Sequence, residues 1–271
     1  MRKKGMKGEK NAEDKGNKAG NLPAAILRGA ISAIFWILVW YAAYRLTGQD
    51  ILVASPSRVA GRLWFLAGTS SFWLTVLVSF LHVAEGLVTG CVAGIVLAVL
   101  TWRCRLCDIV VRPAIGIIKA APVTSFIILA LFWLGRESVA PLITMLMVLP
   151  IVWGNVTEGL GTLDRNLMVM ARTYRFGRGK TLRFVIVPSL MPYFIAALSS
   201  AIGFAWKAGI AAELLANDGR AVGGRINQAK IYLETEDLFA WTIVVIVLSI
   251  ILEKSTVHFL GRVRMTEAEK R

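Results

Sequence analysis

The sequence predicts an all-α, polytopic membrane protein with about six transmembrane helices and both termini cytoplasmic. Three observations predict it. Apolar residues make up 56% of the chain and charged residues only 18%, with a mean hydropathy of +0.62, whereas an ordinary soluble domain is roughly 25% charged. Apolar runs of about 20 residues recur, the length that crosses ~30 Å of hydrocarbon as a helix. The lysines and arginines lie between these runs and are unequally shared between alternate connectors.

Residues 1–21 are polar, rich in Lys and Gly and without periodicity, so they read as a disordered basic cytoplasmic tail. The transmembrane domain covers residues 22–262. Its first run, Leu22–Leu46, is too long for a signal-peptide core and reads as an uncleaved first span. Ser55-Pro56-Ser57 then caps a short helix with Val59, Leu63 and Leu66 at helical spacing. Arg58 and Arg62 fall on another side, so this helix is predicted to lie amphipathically at the membrane surface.

The second span, Phe72–Trp102, would measure roughly 45 Å as a helix and must tilt or project. Gly86, Gly90 and Gly94 recur along it at every fourth residue. Such a small-residue stripe lets another helix approach closely, either within the chain or from a second copy. Arg103–Arg112 reads as a basic connector, and Arg112-Pro113 opens a less regular stretch ending at Ala121-Pro122. A third span runs to Leu134. The connector Gly135–Ser138 leads to a fourth span, Val139 to about Glu158. Gly159–Arg183 is the most polar internal segment, and the fifth span runs from Phe184 to about Glu213. A polar loop of about two dozen residues precedes the sixth span, Leu238–Leu252, and residues 263–271 form a cytoplasmic tail.

Basic residues set the predicted orientation. With the N-terminus inside, cytoplasmic segments hold 22 Lys and Arg and outer segments 7, which are Arg45, Arg58, Arg62, Arg136, Arg220, Arg225 and Lys230. This distribution also accounts for the net charge of +14. Nucleic-acid binding needs one continuous basic surface, and here the charge is broken up by apolar runs. Cys91 lies inside an apolar run. Cys104 and Cys107 form a lone C-x-x-C without nearby His ligands, so no metal site is expected.

The segment 159–183 carries the most specific signal. It reads Met170-Ala171-Arg172-Thr173-Tyr174-Arg175, then Phe176-Gly177-Arg178-Gly179-Lys180, then Leu182-Arg183-Phe184-Val185-Ile186-Val187-Pro188. A short helix, a basic turn and an apolar helix entering the membrane suit the docking of a partner on the cytoplasmic face. The segment resembles the coupling loop of ATP-binding-cassette importer permeases, E-A-A-x-x-x-G followed nine residues later by I-x-L-P. Aligned on Pro188, the triplet falls on Val169, Met170 and Ala171, and the family glycine on Arg175. Ala171 alone of the triplet is kept. Other matches point to the nitrate/sulfonate/taurine-type branch: Ser55-Pro56-Ser57, Phe132-Trp133-Leu134-Gly135, Ala205-Trp206 and Ala212-Glu213. The resemblance covers about residues 50 to 262.

What the resemblance implies is a permease that passes a small solute, an organic anion such as a sulfonate among the possibilities, from an extracytoplasmic binding protein to the cytoplasm. It implies an ATPase subunit docked on Leu167, Val169, Met170, Ala171, Arg172, Tyr174, Arg175, Gly177 and Pro188, and a second permease copy, for which a homodimer is expected. Gly179-Lys180-Thr181 imitates the end of a phosphate-binding loop, but that pattern requires glycine where Tyr174 stands. No ATPase and no cofactor are therefore expected in this chain. Glu85, Lys207 and Glu213 are the candidates for a translocation path, since ionisable groups at membrane depth are costly and usually face a cavity. Glu85 reads equally as an internal hydrogen-bond partner, and Lys207 as a snorkelling lysine. His82 reads as a packed neutral histidine and Lys119 as snorkelling inward. The rival readings are an ion-coupled carrier, which would favour inverted repeats and broken helices, and an intramembrane enzyme, which would need a cluster of His, Asp or Glu at one membrane face.

Overall fold

The structure, a computed structural model, describes Leu27 and residues 31–268, in backbone only at Arg165 and from residue 257 onward. The predicted tail over residues 1–21 and the start of the first predicted span lie outside these residues. The described chain is helical, in the order α1 (Ile31–Thr47), α2 (Pro56–Ala67), α3 (Ser70–Arg103), α4 (Arg105–Ala120), α5 (Val123–Trp133), α6 (Arg136–Gly161), α7 (Arg165–Thr173), α8 (Arg178–Thr181), α9 (Val187–Ala216), α10 (Val222–Ile231) and α11 (Thr235–Ala268). A π-helical turn, Leu182–Ile186, joins α8 to α9. Two compact units divide the chain within α2, residues 1–61 and 62–271.

In the first unit, α1 is followed by a turn that the Trp40 indole holds through a 3.1 Å hydrogen bond to the Ala54 carbonyl. Arg58 pairs with Asp50 at 2.7 Å. The Tyr44 hydroxyl and the Arg58 guanidinium hold the Asp50 carboxyl below its ordinary range. Ser55 caps α2 as its sequence predicts, accepting from the Arg58 amide.

The second unit is built on α3, α6 and α9. Gly86, Gly90 and Gly94 lie on one face of α3 against Thr144, Val148 and Val152 of α6. A Cβ on any of the three would fall within 2.9 Å of a side-chain carbon of α6. Gly209 of α9 meets Val83 and Thr144, so the three helices converge on Thr144. The glycine stripe is thus filled from within the chain. It offers no surface to a second copy, and the self-association it suggested loses that support. Gly159 of α6 packs on Tyr193 and Leu190 of α9, and Tyr193 bonds to Thr162 at 2.9 Å.

Helix α11 joins this core through stacked Phe72 and Trp241 rings, 5.1 Å between centroids, and through the Trp206 indole bonded to the Val245 carbonyl at 3.1 Å. Helix α5 packs with Ile127 and Ala130 on Ile143 of α6 and Ala208 and Ala212 of α9.

Three expectations need correction. Arg103–Arg112 is not a connector and Arg112-Pro113 opens no irregular stretch, because α4 continues through both. Pro113 sits near the middle of α4, and the breaks fall at Cys104 and at Ala121-Pro122, where Pro122 forces the preceding residue out of the helical region. Helices α4 and α5 meet there at a bend of 105°. The polar loop before the last span contains the ten-residue helix α10. By length and composition, four described helices can cross a membrane: α3, α6, the run Arg178–Ala216 and α11 over Thr235–Thr256. The count is five if bent α4–α5 forms one span, and α1 is a shorter apolar helix.

Candidate functional site

Two places in the second unit gather the residues that the sequence singles out. The first is α7 with its exit. Asp164 caps it, its carboxylate accepting from the Asn166 amide at 2.8 Å. At the other end the Phe176 amide donates to the Ala171 carbonyl at 2.8 Å and the Arg175 amide to Arg172 at 3.0 Å. This pair of bonds is the Schellman closure, which needs a left-handed residue between them. Arg175 takes that conformation with φ of 51°. The position where the resembled motif has glycine is therefore the left-handed cap, and this chain fills it with arginine.

The predicted docking residues divide on this helix. Leu167, Met170 and Tyr174, at i, i+3 and i+7, are exposed along one strip, Tyr174 the most at 71%. Val169 is exposed on another side, as are Arg172, Arg175 and Gly177 in the row of basic residues. Ala171 is different. At 1% exposure it is buried within its own chain and seats α7 rather than offering a contact. Pro188 lies in the first turn of α9, half-buried. Proline lacks an amide to donate and crowds the carbonyl four residues back, which explains why the turn before it is wide and π-helical, closed by the Val187 amide on Leu182.

The second place is a cleft of about 600 Å³ between α3 and α6. His82, Glu85 and Thr89 form its α3 wall, and Pro141, Leu142 and Met145 its α6 wall. At one end Arg220, from the loop before α10, is hydrogen-bonded to Glu137 at the start of α6. Arg220 also lies 3.5 Å from Asp218, which is nearly buried. The two carboxylates raise the pKa of the Arg220 guanidinium, that of Glu137 through its hydrogen bond most of all. Glu85 is exposed to the cleft, and its carboxylate makes no hydrogen bond or ion pair among the described residues.

Behind this wall sits Glu213, with no exposed surface. Its Oε2 accepts from Ser79 Oγ at 2.7 Å and from the Gly223 amide at 3.1 Å, and its Oε1 lies 3.0 Å from His82 Nδ1. Ser79 in turn accepts from the Val222 amide at 2.8 Å. The His82 Nδ1 and the Glu213 Oε1 share one hydrogen bond in this contact. Glu213, a candidate for the path, is instead enclosed as a three-helix junction, and His82 is its ligand rather than a simply packed ring. Lys207 lies on an exposed face of α9, outside the cleft. Sequence reasoning missed Ser79, Glu137 and Arg220. Nothing in the local pattern of an apolar helix marks one serine as a hydrogen-bonding hub.

Comparison with known proteins gives a consistent result. The family model described as binding-protein-dependent transport system inner membrane component matches residues 90–265. A putative aliphatic sulfonates transport permease protein of Bacillus subtilis (strain 168) is 23% identical over 240 residues, covering 86% of this chain and 85% of its own. The nitrate import permease protein of Synechococcus elongatus is 26% identical over 196 residues, 68% of this chain and 70% of its own. The taurine transport system permease protein of Escherichia coli (strain K12) is 22% identical over 227 residues, 82% of each. A chain from the crystal structure of an amino acid ABC transporter with histidines superposes with a TM-score of 0.60 at 14% identity, covering 74% of this chain and 97% of that one, a likeness of fold.

Proposed function

We propose, starting from the fact that the chain belongs to the family of binding-protein-dependent transport system inner membrane components, that it is the permease subunit of an ATP-driven importer. Its relatives, named for sulfonate, taurine and nitrate, make a small organic anion such as a sulfonate the first expectation for its solute. Its partners are an ATP-binding-cassette ATPase subunit, an extracytoplasmic solute-binding protein, a second permease copy and membrane lipid. ATP hydrolysis belongs to the ATPase subunit, and the chain resides in the cell membrane with several crossings.

The observation that carries this reading is α7, a short capped helix between two long apolar ones, with Leu167, Met170 and Tyr174 turned outward. An apolar strip on a helix outside the membrane is accounted for by a groove that receives it. Six crossings follow if α1, α3, bent α4–α5, α6, α9 and α11 each traverse once. The contacts between connectors support that topology. Arg62 pairs with Asp237, and Glu137 with Arg220, so segments assigned to the outer side meet one another. The inner segment is tied to the start of the fifth span by the bond from Thr162 to Tyr193.

The test is co-purification. Tagged full-length protein carrying Tyr174→Asp or Met170→Asp should stay monodisperse and lose the ATPase subunit, since a few central apolar anchors hold most of an interface together. ATPase that still accompanies both variants, with transport intact, would sink the reading. Ala171→Asp is a poorer probe, because a charge at that buried position disturbs α7 itself.

A further inference from the structure

We propose that the α3–α6 cleft accepts a solute bearing a positively charged nitrogen, an alkylammonium or a protonated heterocycle, with the Glu85 carboxylate as its counter-ion. The proposal rests on the permease reading and adds the charge of the group carried.

The cleft has the size and make-up of a small-molecule site. Its volume of about 600 Å³ suits a small solute, and Val78, Leu81, Pro141, Leu142 and Met145 give it apolar walls around a few polar groups. The polar groups are unequal in sign. Among the described residues Arg220 is the one permanent cation lining it, and it is already held by Glu137 and Asp218. His82 is held through Nδ1 by buried Glu213. Two carboxylates, Glu85 and Glu137, therefore line the cleft with one guanidinium and one imidazole, and buried Asp218 and Glu213 stand behind them as the partners of Arg220 and His82. Asp218 adds a buried oxygen, Oδ2, with no partner among the described residues.

Glu85 is the group left over. It stands near the middle of the 34-residue α3, the depth at which an uncompensated carboxylate is least tolerable. A purely anionic solute such as nitrate or an alkyl sulfonate would bring only more negative charge to this place. A cationic nitrogen compensates Glu85 directly, whether or not the same solute also carries an anion elsewhere.

The charge preference is measurable without knowing the solute. In full-length protein with Cys91, Cys104 and Cys107 replaced by serine, Thr89→Cys places a thiol in the cleft, and Met145→Cys places a second one on the opposite wall. Each is reacted with trimethylammonium-ethyl and with sulfonato-ethyl methanethiosulfonate, and the rate ratio is divided by that at the exposed control Tyr232→Cys. The cationic reagent should be favoured by about tenfold, and Glu85→Gln should bring the ratio close to the control. A ratio near the control in the parent, a preference for the sulfonate reagent, or a cation preference that survives Glu85→Gln overturns the proposal. Failure of both thiols to react also overturns it, since the cleft would then be closed to solutes. These rates require neither ATPase nor binding protein, so their outcome is independent of the co-purification test of the permease reading.

Discussion

Adding one methyl group to the glycine face of α3 should destabilise the protein in a graded way. At Gly86 a Cβ would stand 2.4 Å from Thr144 Cβ and 2.5 Å from the Pro141 carbonyl oxygen. At Gly90 the nearest approaches would be 2.8 Å to Val148 Cβ and 2.9 Å to the Met145 carbonyl, and at Gly94 2.9 Å to Val152 Cβ and 3.0 Å to Leu149. Carbon atoms settle at about 3.5–4.0 Å, so α6 would have to retreat by about 1 Å at Gly86 and by less at Gly94. Backbone oxygens cannot turn aside as a side chain can. Overpacking of this kind costs about 1–3 kcal/mol, offset by up to ~1 kcal/mol because alanine favours a helix over glycine. Gly86→Ala should therefore lose about 2 kcal/mol and Gly94→Ala less than half of that. The assay is the apparent melting midpoint of detergent-purified full-length protein, with the order Gly86→Ala lowest, then Gly90→Ala, then Gly94→Ala. Thr144→Gly should partly rescue Gly86→Ala, giving a coupling of about 1 kcal/mol in a double-mutant cycle. A Gly86→Ala protein as stable as the parent would refute the close crossing on which this description of the core depends.

Other outcomes follow from the same structure. Arg175→Gly removes the strain of a non-glycine residue at φ of 51° and should stabilise the α7 exit by about 1 kcal/mol, read as slower amide exchange at Phe176 with ATPase co-purification kept. Glu213→Ala strips the acceptor from Ser79, His82 and the Gly223 amide, leaving buried donors at about 1–3 kcal/mol each. It should abolish monodisperse protein, and Glu213→Gln, which keeps one acceptor oxygen, should be milder; equal yields of both would contradict the junction. Lys207→Met should reduce uptake with the complex assembled if Lys207 lines the path, and unchanged uptake returns it to a snorkelling role. An impermeant thiol reagent should label Ser71→Cys but not Gly179→Cys in whole cells, and the reverse pattern overturns the orientation.

Most of the spans were legible from apolar run length, and the Gly86-Gly90-Gly94 stripe from its period alone, because both are properties of contiguous sequence. What escaped depends on partners distant in the chain. Glu213 looked like a path residue because its acceptor bonds reach Ser79 and His82, more than a hundred residues away. Helix α10 was hidden because its burial comes from Gly223 fitting against the α9 backbone near Ile210, not from an apolar period. Ala171 was assigned to the partner surface because it is the one residue of the resembled motif's triplet that this chain keeps, and only the fold shows that its side chain faces inward. The boundary at Ala121-Pro122 was legible, but the stretch before it was read as irregular because of Pro113, which a helix tolerates near its middle at a cost.

The junction at Glu213 also sets an order on biosynthesis. Ser79 and Glu213 are 134 residues apart, which at about 5–20 residues per second separates their emergence from the ribosome by roughly 7–27 seconds. Throughout that interval α3 is already made, with Ser79 and His82 still lacking the Glu213 carboxylate. The nascent chain must therefore be sheltered, by the insertion machinery or by water at its flank, until α9 arrives to close the structure. A ribosome stalled between α6 and α9 would leave a half-built chain whose polar face invites quality-control proteases. The last third of the polypeptide is in this sense the part that decides whether the first third survives.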